Sequence, residues 1–225
     1  MRLRLSIVMP ALDEAGIIAA TLDALAPLRA RGHEVIVVDG GSSDGSLALC
    51  HGRSDLAFVA TRGRARQMNA GAARAGGDVL LFLHADTHLP AQADALVAQA
   101  LQGGALWGRF DVRIAGRSPM FPVIAALMNW RSCWAGIATG DQAMFVRRPV
   151  FERLGGFADL ALMEDIDLSR RLRVQAAPAC VHQRAVISGR RWETRGLWRT
   201  IWLMWRLRWC HWRGVPADEL ARAYR

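Results

Sequence analysis

The chain has 225 residues, of which 52% are hydrophobic and 22% are charged, a composition typical of a globular protein with one α/β domain or two small ones. All 29 basic side chains counted as lysine plus arginine are arginine. This excludes a P-loop nucleotide site and a pyridoxal Schiff base, because each needs a lysine. Most of the net charge of +9 lies in residues 184–213, which hold eight arginines and one acid, Glu193. Such an excess indicates an acidic partner: phosphate, anionic lipid or nucleic acid.

Over the first hundred residues, predicted strands alternate with predicted helices. Continuous apolar runs indicate strands at 5–9, 35–38, 57–60 and 79–83, and helical periodicity indicates helices at 15–28, 65–75 and 94–101. Strands covered on both faces have continuous β-branched runs of this kind. We therefore predict an α/β protein with a Rossmann-like, mostly parallel central sheet flanked by helices.

After residue 103 the pattern is less regular. We predict an edge or antiparallel strand at 109–114, a helix at 122–134, a strand at 141–146, an amphipathic stretch at 166–174 and a long helix at 197–212. We expect one domain over residues 1–195, with a nucleotide half up to residue 103 and a second-substrate half over 104–195. Residues 196–225 are expected to form a C-terminal helical extension rich in tryptophan and arginine.

The cysteines and the apolar runs suggest where the chain resides. The four cysteines are Cys50, Cys133, Cys180 and Cys210. They form no C-x-x-C pair and no zinc-type spacing, so we expect free, buried thiols in a reducing compartment. No uncharged run, that at 118–130 included, reaches the ~18–20 residues of a membrane span. We predict a cytoplasmic location, either soluble or peripheral on the inner membrane face.

Acidic residues follow the carboxyl ends of three predicted strands: Glu14, Asp39 and Asp86. Ligands of parallel sheets bind outside these ends. A carboxylate there can accept hydrogen bonds from a base or a ribose, or it can hold a divalent cation. One such acid is more often a helix cap or a turn residue, whereas three at one edge favour a binding site.

A nucleotide bound at this edge needs its phosphates neutralised. No Gly-x-Gly-x-x-Gly follows the first strand, so a metal or arginines must do this. His84 and Asp86, two residues apart at a strand end, offer an imidazole and a hard oxygen ligand. Residues 61–69 add three arginines and two amides at a helix start, Arg64 and Gln67 among them, a set suited to a diphosphate.

Short motifs along the chain together resemble glycosyltransferase family 2, inverting enzymes of the GT-A fold. In chain order they are Pro10-Ala-Leu-Asp-Glu14, Val38-Asp-Gly-Gly-Ser-Ser-Asp-Gly45, His84-Ala-Asp86, Gly140-Asp-Gln142, Gly155-Gly-Phe157, Glu164-Asp165 and Arg190-Arg-Trp192. The likeness is greatest to short, single-domain bacterial members of the radical-SAM/selenodomain-associated type. Two departures stand out: Gly40 replaces the second acid of a usual pair, and His84 replaces the first acid of the metal motif.

The resemblance implies a metal-dependent transfer from a nucleotide sugar, a UDP-sugar as first choice, to an unidentified acceptor. On the donor side it implies that Pro10, Glu14 and Asp39 bind uracil and ribose. It also implies that Asp86, with His84, holds Mg²⁺ or Mn²⁺ at the diphosphate.

On the acceptor side, the resemblance makes Asp165 the general base. The remaining acceptor or sugar-pocket residues that it implies are Asp141, Gln142, Glu164, Arg191 and Trp192. An alternative for Glu164 and Asp165 is that they supply favourable charge at the start of the following helix.

A tryptophan stripe marks the C-terminal helix. Trp198, Trp202, Trp205, Trp209 and Trp212 recur every three or four residues, and arginines flank them every seven residues. The pattern fits a peripheral membrane contact, which favours a lipid-linked or amphipathic acceptor. It fits equally well a helix packed on the domain or on a second copy. No nucleic-acid motif accompanies it, so no nucleic acid partner is expected.

Two rival functions remain. A sugar nucleotidyltransferase would need a Gly-rich, lysine-containing N-terminal loop, which this chain lacks. The other rival is a basic membrane- or nucleic-acid-binding module on a catalytically degenerate transferase scaffold, and Gly40 and His84 keep that interpretation open.

Overall fold

The computed structural model describes residues 3–224, except for the side chains of Arg191 and Tyr224. The strands are β1 (Leu5–Ala11), β2 (Glu34–Asp39), β3 (Leu56–Val59), β4 (Val79–Phe82), β5 (Thr87–His88), β6 (Trp107–Ala115), β7 (Phe145–Arg147) and β8 (Ala179–Ser188). The helices are α1 (Ile18–Ala30), α2 (Ser46–Leu49), α3 (Arg64–Ala72), α4 (Ala93–Gln102), α5 (Phe121–Ala135), α6 (Arg148–Arg153), α7 (Glu164–Gln175), α8 (Arg190–Arg195), α9 (Leu197–Trp212) and α10 (Ala217–Tyr224). A short 3-10 helix spans Gly140–Gln142.

All of these strands join one mixed sheet, in the order β3-β2-β1-β4-β7-β6-β8-β5. The first four are parallel, as predicted. Strand β7 runs antiparallel to both β4 and β6, and β8 runs parallel to β6. The predicted strand at 109–114 therefore lies inside the sheet, not at its edge, although its antiparallel pairing with β7 is confirmed. It is interior because β7 pairs with one of its edges and β8 with the other.

Hydrophobic clusters cover both faces of the sheet. Along β1, Ile7 and Met9 pack with Leu22 of α1 on one face, whereas Val8 packs with Met68 of α3 on the other. This alternation follows from the two-residue repeat of a strand. Because both faces are buried, the central strands need apolar side chains at every position, as the sequence predicted.

The prediction of four free thiols is wrong for one pair. Cys133 on α5 and Cys180 on β8 form a disulfide, with Cα atoms 5.9 Å apart and a sequence separation of 47. The two meet because α5 packs on β6, the neighbour of β8. Cys50 is free and buried, and Cys210 is free and half-buried.

Helix α9 has the predicted bounds, and its tryptophan stripe faces outward. Leu207 packs on the opposite side, in a cluster with Met163 and Ile166 at the start of α7 and with Leu220 of α10. The five stripe tryptophans are 57–73% exposed. Helix α9 therefore packs on the chain's own domain through the side opposite the stripe, while the stripe itself is exposed. Within residues 3–224, no helix combines the length and the hydropathy that crossing a bilayer requires.

Candidate active site

The loops that follow β1 and β2 are joined by hydrogen bonds at the carboxyl edge of the sheet. The Asp13 N–H donates to Ser42 Oγ (2.9 Å), and the Glu14 N–H donates to Ser46 Oγ (2.8 Å). Asp13 adopts a positive φ of 53°, which turns the chain sharply at the end of the strand. These contacts fix Glu14 beside the end of β2, where the strand-end argument expected it.

Asp39, at the end of β2, closes its own turn. Its Oδ2 accepts hydrogen bonds from the Gly41 N–H (2.9 Å) and the Ser42 N–H (2.8 Å), and its Oδ1 accepts one from the Ser42 hydroxyl. The carboxylate is buried. Asp39 is thus a turn residue, which is the alternative that the sequence analysis gave for a single strand-end acid.

Gln67 of α3 connects the ends of β1 and β2. Its Nε2 donates to the carbonyls of Ala11 and Val38, both at 2.8 Å, and its Oε1 accepts from the Gly63 N–H. A Cβ at Gly40 would lie 3.1 Å from Gln67 Oε1. The glycine that replaces the usual second acid therefore gives this amide the room it occupies.

Glu14 and Asp86 face one another across the carboxyl edge. The pKa of Glu14 is raised, first because the carboxyl is partly buried and then because Asp86 is close. Arg190 opposes this shift, with its Nη2 4.0 Å from Glu14 Oε2. Pro10 pairs with Val38 in the same layer of the sheet.

His84 links this donor-side edge to the second half of the chain. Its Nδ1 lies 3.2 Å from Asp141 Oδ1 in the 3-10 helix, and its Nε2 is buried without a hydrogen-bond partner among the described residues. A Cβ at Gly140 would lie only 2.6 Å from that Nε2. Position 140 thus requires glycine for close packing on the imidazole.

Asp165 lies on the other side of the same 3-10 helix. Its Oδ2 accepts a 2.7 Å hydrogen bond from the Gly140 N–H, and its Oδ1 accepts one from the Ile166 N–H in the first turn of α7. The carboxylate therefore both satisfies a helix-terminal amide and faces the site. The structure thus brings His84, Asp141 and Asp165 together around Gly140, as the motif order suggested.

Two other predicted residues of this pocket are buried. Gln142 donates from Nε2 to Ser132 Oγ at 2.8 Å, and its Oε1 accepts from the Thr139 N–H. Glu164 lies against Arg64, with Arg64 Nη1 3.5 Å from Glu164 Oε1. The pKa of Glu164 is raised, first by its burial and then by Asp165. The pKa of Arg64 is raised by Glu164, Asp141 and Asp165, although desolvation acts to lower it.

The predicted diphosphate cluster at 61–69 does not assemble. Arg64 faces the acceptor-side acid Glu164, while Arg66 pairs with Asp159 at 2.7 Å. The amide of Asn69 exchanges hydrogen bonds with the backbone of Phe157. Successive positions on α3 point 100° apart, which separates side chains that are close in sequence.

Backbone strain concentrates at the same motifs. Among the described residues, the non-glycine positions with positive φ are Asp13, Ala143 and Met163. Each directly adjoins a predicted site residue: Glu14, Gln142 or Glu164. Strained conformations of this kind cluster at functional sites.

Two arginines outside the sequence motifs lie near Asp165. Arg131 of α5 and Arg208 of α9 both lie in the electrostatic field of Asp165. One signal was available: Arg208 falls outside the seven-residue spacing of Arg199, Arg206 and Arg213 and so lies on a different face of α9. Trp192 packs in an apolar cluster with Val112 and Phe121, and the Arg191 side chain lies outside the described residues.

A divalent cation fits the donor-side edge only with further ligands. Within residues 3–224, no group of three or more His, Cys, Asp or Glu side chains could hold a metal ion alone. Asp86 is half-buried, faces Glu14 and has Thr87 Oγ1 as a distant neighbour at 3.5 Å. A hard cation is often bound by one or two carboxylates plus substrate phosphates. These protein ligands thus suit a cation that is also coordinated by the phosphates of a bound diphosphate.

The curled sheet and the acids at its carboxyl edge define a class, the GT-A glycosyltransferase fold. The chain belongs to glycosyl transferase family 2, whose sequence profile matches residues 6–155. This confirms the family, whereas the radical-SAM/selenodomain-associated subtype stays a prediction.

Three comparisons illustrate the relationship. A protein of Bacillus subtilis (strain 168) named "Probable glycosyltransferase YdaM" is 28% identical over 92% of this chain, which spans about half (54%) of that relative's length. S. aureus TarS 1-349, solved in complex with UDP, has a TM-score of 0.66 and 15% identity, covering 82% of this chain and 60% of TarS. The mannosyltransferase PcManGT of Pyrobaculum calidifontis, in complex with GDP-Man and Mn²⁺, has a TM-score of 0.65 and 22% identity. The match covers 92% of this chain and 61% of PcManGT.

Proposed function

We propose that the protein is an inverting glycosyltransferase that moves a sugar from a nucleotide sugar, with a UDP-sugar as the first choice, to an acceptor hydroxyl. The observation that carries the proposal is the position of Asp165. Its carboxylate is held by the Gly140 N–H, and Gly140 itself packs on His84 at the end of β4. Family membership and relatives solved with UDP or GDP-Man support the same reaction class.

In this reaction Asp165 acts as the general base. The acceptor oxygen forms a bond to the anomeric carbon as the bond from that carbon to the diphosphate breaks. The nucleoside diphosphate leaves with the electron pair, and the acceptor proton passes to the Asp165 carboxylate. Attack on the face opposite the leaving group inverts the anomeric configuration. The hydrogen bonds from Gly140 and Ile166 orient the carboxylate for this transfer.

On the donor side, Glu14 and Asp39 are proposed to bind the nucleoside and Asp86 to hold Mg²⁺ or Mn²⁺. Bound there, the cation would neutralise charge on the leaving diphosphate. The relative solved with GDP-Man and Mn²⁺ supports divalent metal use. His84 is the second predicted ligand, and its ring now faces Asp141 and Gly140. Gln67, whose polar atoms all contact backbone groups, supports the donor edge from below.

The outer face of α9 is proposed to contact an anionic membrane surface. Residues 194–213 contain no acid. The Arg206 guanidinium lies 5.5 Å from the centre of the Trp202 ring, and that of Arg213 lies 5.1 Å from Trp209. Exposed rings with adjacent cations match the headgroup region of an anionic bilayer. A lipid-linked or amphipathic acceptor would meet the site at this surface.

The test combines donor binding with turnover. Binding of a nucleotide-sugar panel is measured by calorimetry with Mn²⁺ and with EDTA, and product is followed by mass spectrometry on membrane extracts. We expect metal-dependent binding of one donor class. Asp165→Asn should lower turnover at least about 100-fold while donor binding persists. Asp167→Asn is the matched control, because Asp167 lies in the same helical turn but pairs with Arg171.

Two results would contradict the proposal. Full activity of Asp165→Asn would remove the base assignment. Absence of binding to every donor would favour the rival, a basic membrane- or nucleic-acid-binding module on a degenerate transferase scaffold.

A further inference from the structure

Arg131 and Arg208 are both partly buried arginines, and neither has an ion-pair partner among the described residues. Among the described residues, neither guanidinium takes part in a hydrogen bond or an ion pair, and Nη2 of Arg131 is buried without a partner. By contrast, Arg64 pairs with Glu164, and Arg171 pairs with Asp167. Two cations that raise each other's electrostatic cost are therefore close together, and at least one of their donors is buried without a partner among the described residues.

Two partly buried like charges without a bound anion are unfavourable in free energy. The pKa of Arg131 is lowered to about 10, first because protein surrounds the guanidinium and then because Arg208 adds a like charge. Desolvation also lowers the pKa of Arg208. Partly buried cations normally pair with an anion that satisfies their donors. An arginine fork matches the oxygens of phosphate or carboxylate, because it can donate two parallel hydrogen bonds.

The two side chains are carried by helices on the acceptor side of the site, since α5 is hydrogen-bonded to the 3-10 helix and α9 packs on the start of α7. Both are in the field of Asp165, and Arg208 is also in that of Asp141. The donor-side acid Glu14 has a different cation beside it, Arg190. The two arginines and the donor-side acids also lie on different elements. Helices α5 and α9 carry the arginines, whereas the acids follow strands β1, β2 and β4.

The fold holds both arginines in place. Ser132, next to Arg131, accepts a 2.8 Å hydrogen bond from Gln142, and Cys133 is fixed to β8 by the disulfide. Leu207, next to Arg208, is buried in the cluster at the start of α7. Neither side chain therefore depends on a mobile segment for its position.

We propose that Arg131 and Arg208 form an anion subsite for the acceptor, so that the accepted molecule carries a phosphate or carboxylate near its reacting hydroxyl. The inference rests on the proposed function, since it assigns the acceptor of that same reaction. The anion can belong to a small soluble molecule or to a lipid headgroup. Arg208 directly precedes Trp209 of the tryptophan stripe, so an anion from either source could reach it.

The first experiment measures binding of inorganic phosphate and of glycerol 3-phosphate to the full chain saturated with UDP and Mn²⁺, so that a donor diphosphate site is already filled. Glycerol serves as the uncharged control ligand. We expect Arg131→Gln and Arg208→Gln each to weaken phosphate binding at least about tenfold. Arg208→Lys should retain part of it. Arg153→Gln, at the exposed end of α6, should bind phosphate as the parent does.

The outcomes separate this inference from the proposed function. Unchanged phosphate binding in the double variant Arg131→Gln/Arg208→Gln would overturn the subsite. Loss of UDP binding in either folded variant, judged by circular dichroism, would instead assign the pair to the donor diphosphate and also overturn it. If UDP does not bind the parent chain but phosphate binds through these arginines, the proposed function fails while the subsite stands.

A second arm distinguishes the two sources of the anion. Vesicles of phosphatidylcholine with phosphatidic acid are compared with soluble glycerol 3-phosphate. A lipid source predicts that Trp205→Ala/Trp209→Ala weakens vesicle binding and that Arg208→Gln weakens it further. A soluble source predicts that Arg208→Gln affects only glycerol 3-phosphate. If Arg208→Gln changes the affinity for neither the vesicles nor glycerol 3-phosphate, the proposed subsite is contradicted.

Discussion

The backbone N–H of Gly140 donates a 2.7 Å hydrogen bond to Oδ2 of Asp165. On its other side, the same glycine packs against the imidazole of His84. One residue of the 3-10 helix thus sets the distance between the end of β4 and the start of α7, which are the two sides of the proposed reaction.

Gly140→Ala should therefore impair turnover. The added Cβ would lie 2.6 Å from His84 Nε2, so the imidazole or the 3-10 helix must shift, and Asp165 loses its orientation. A misplacement of this order lowers kcat by about 10- to 100-fold. The control is Gly103→Ala, whose Cβ would make only an ordinary contact at 3.4 Å. Equal kcat values for parent and Gly140→Ala would show that this contact does not position the base.

Glu164 should make stability fall as the pH rises from acid to neutral. Its folded pKa is raised above the ordinary value of 4.5, first by burial and then by Asp165. A raised pKa means that the folded state binds more protons, so the contribution is fully present below the unfolded pKa and is lost as the pH rises through the folded pKa. We expect the Tm of Glu164→Gln, relative to the parent, to increase between pH 4 and pH 7. A constant difference across that range would contradict the shift.

The tryptophan face of α9 should govern vesicle binding. Trp205→Ala/Trp209→Ala removes two rings that are 73% and 57% exposed, so vesicle affinity should fall at least about tenfold while Tm changes little. Val174→Ala, an equally exposed apolar site on α7, is the control. Cosedimentation with vesicles containing phosphatidylglycerol measures the effect. If the double variant instead changes the oligomeric state and leaves vesicle binding intact, the face is an interface between copies.

The outer face of α5 should contribute to the same binding. Val123, Leu127, Trp130 and Trp134 are exposed, and the last two rings stack with centroids 5.9 Å apart. Its inner residues share an apolar cluster with Leu197 and Ile201 of α9. Trp130→Ala/Trp134→Ala should therefore weaken vesicle binding, measured by the same cosedimentation. An unchanged affinity would restrict the membrane contact to α9.

The Cys133–Cys180 disulfide should stabilise the fold. A crosslink that closes a loop of this length contributes about 4 kcal/mol by the chain-entropy estimate. Reduction should therefore lower the Tm of the parent but not that of Cys133→Ser. Thiol titration in denaturant should find only the thiols of Cys50 and Cys210 before reduction. A reductant-insensitive Tm in the parent would contradict a structural role for the bond.

Several features were predictable because they depend on local order alone. The carboxyl ends of parallel strands share one edge, so Glu14 and Asp86 had to approach each other once β1 and β4 were identified. The bounds of α9 followed from its helical periodicity. The same reasoning failed for residues 61–69, where Arg64 and Arg66 leave α3 in different directions and find acids from distant segments.

By itself, the sequence determined the α/β class, the strand-end acids and the two-sided character of α9, because short-range periodicity and motif order encode them. Tertiary packing alone decided which side of α9 faces solvent, which cysteines pair, and that Arg131 and Arg208 lie near Asp165. Each of these features depends on contacts between segments that are tens of residues apart in sequence. The spacing of residues along the chain does not specify the distance between such side chains, because they meet only when helices pack on the sheet.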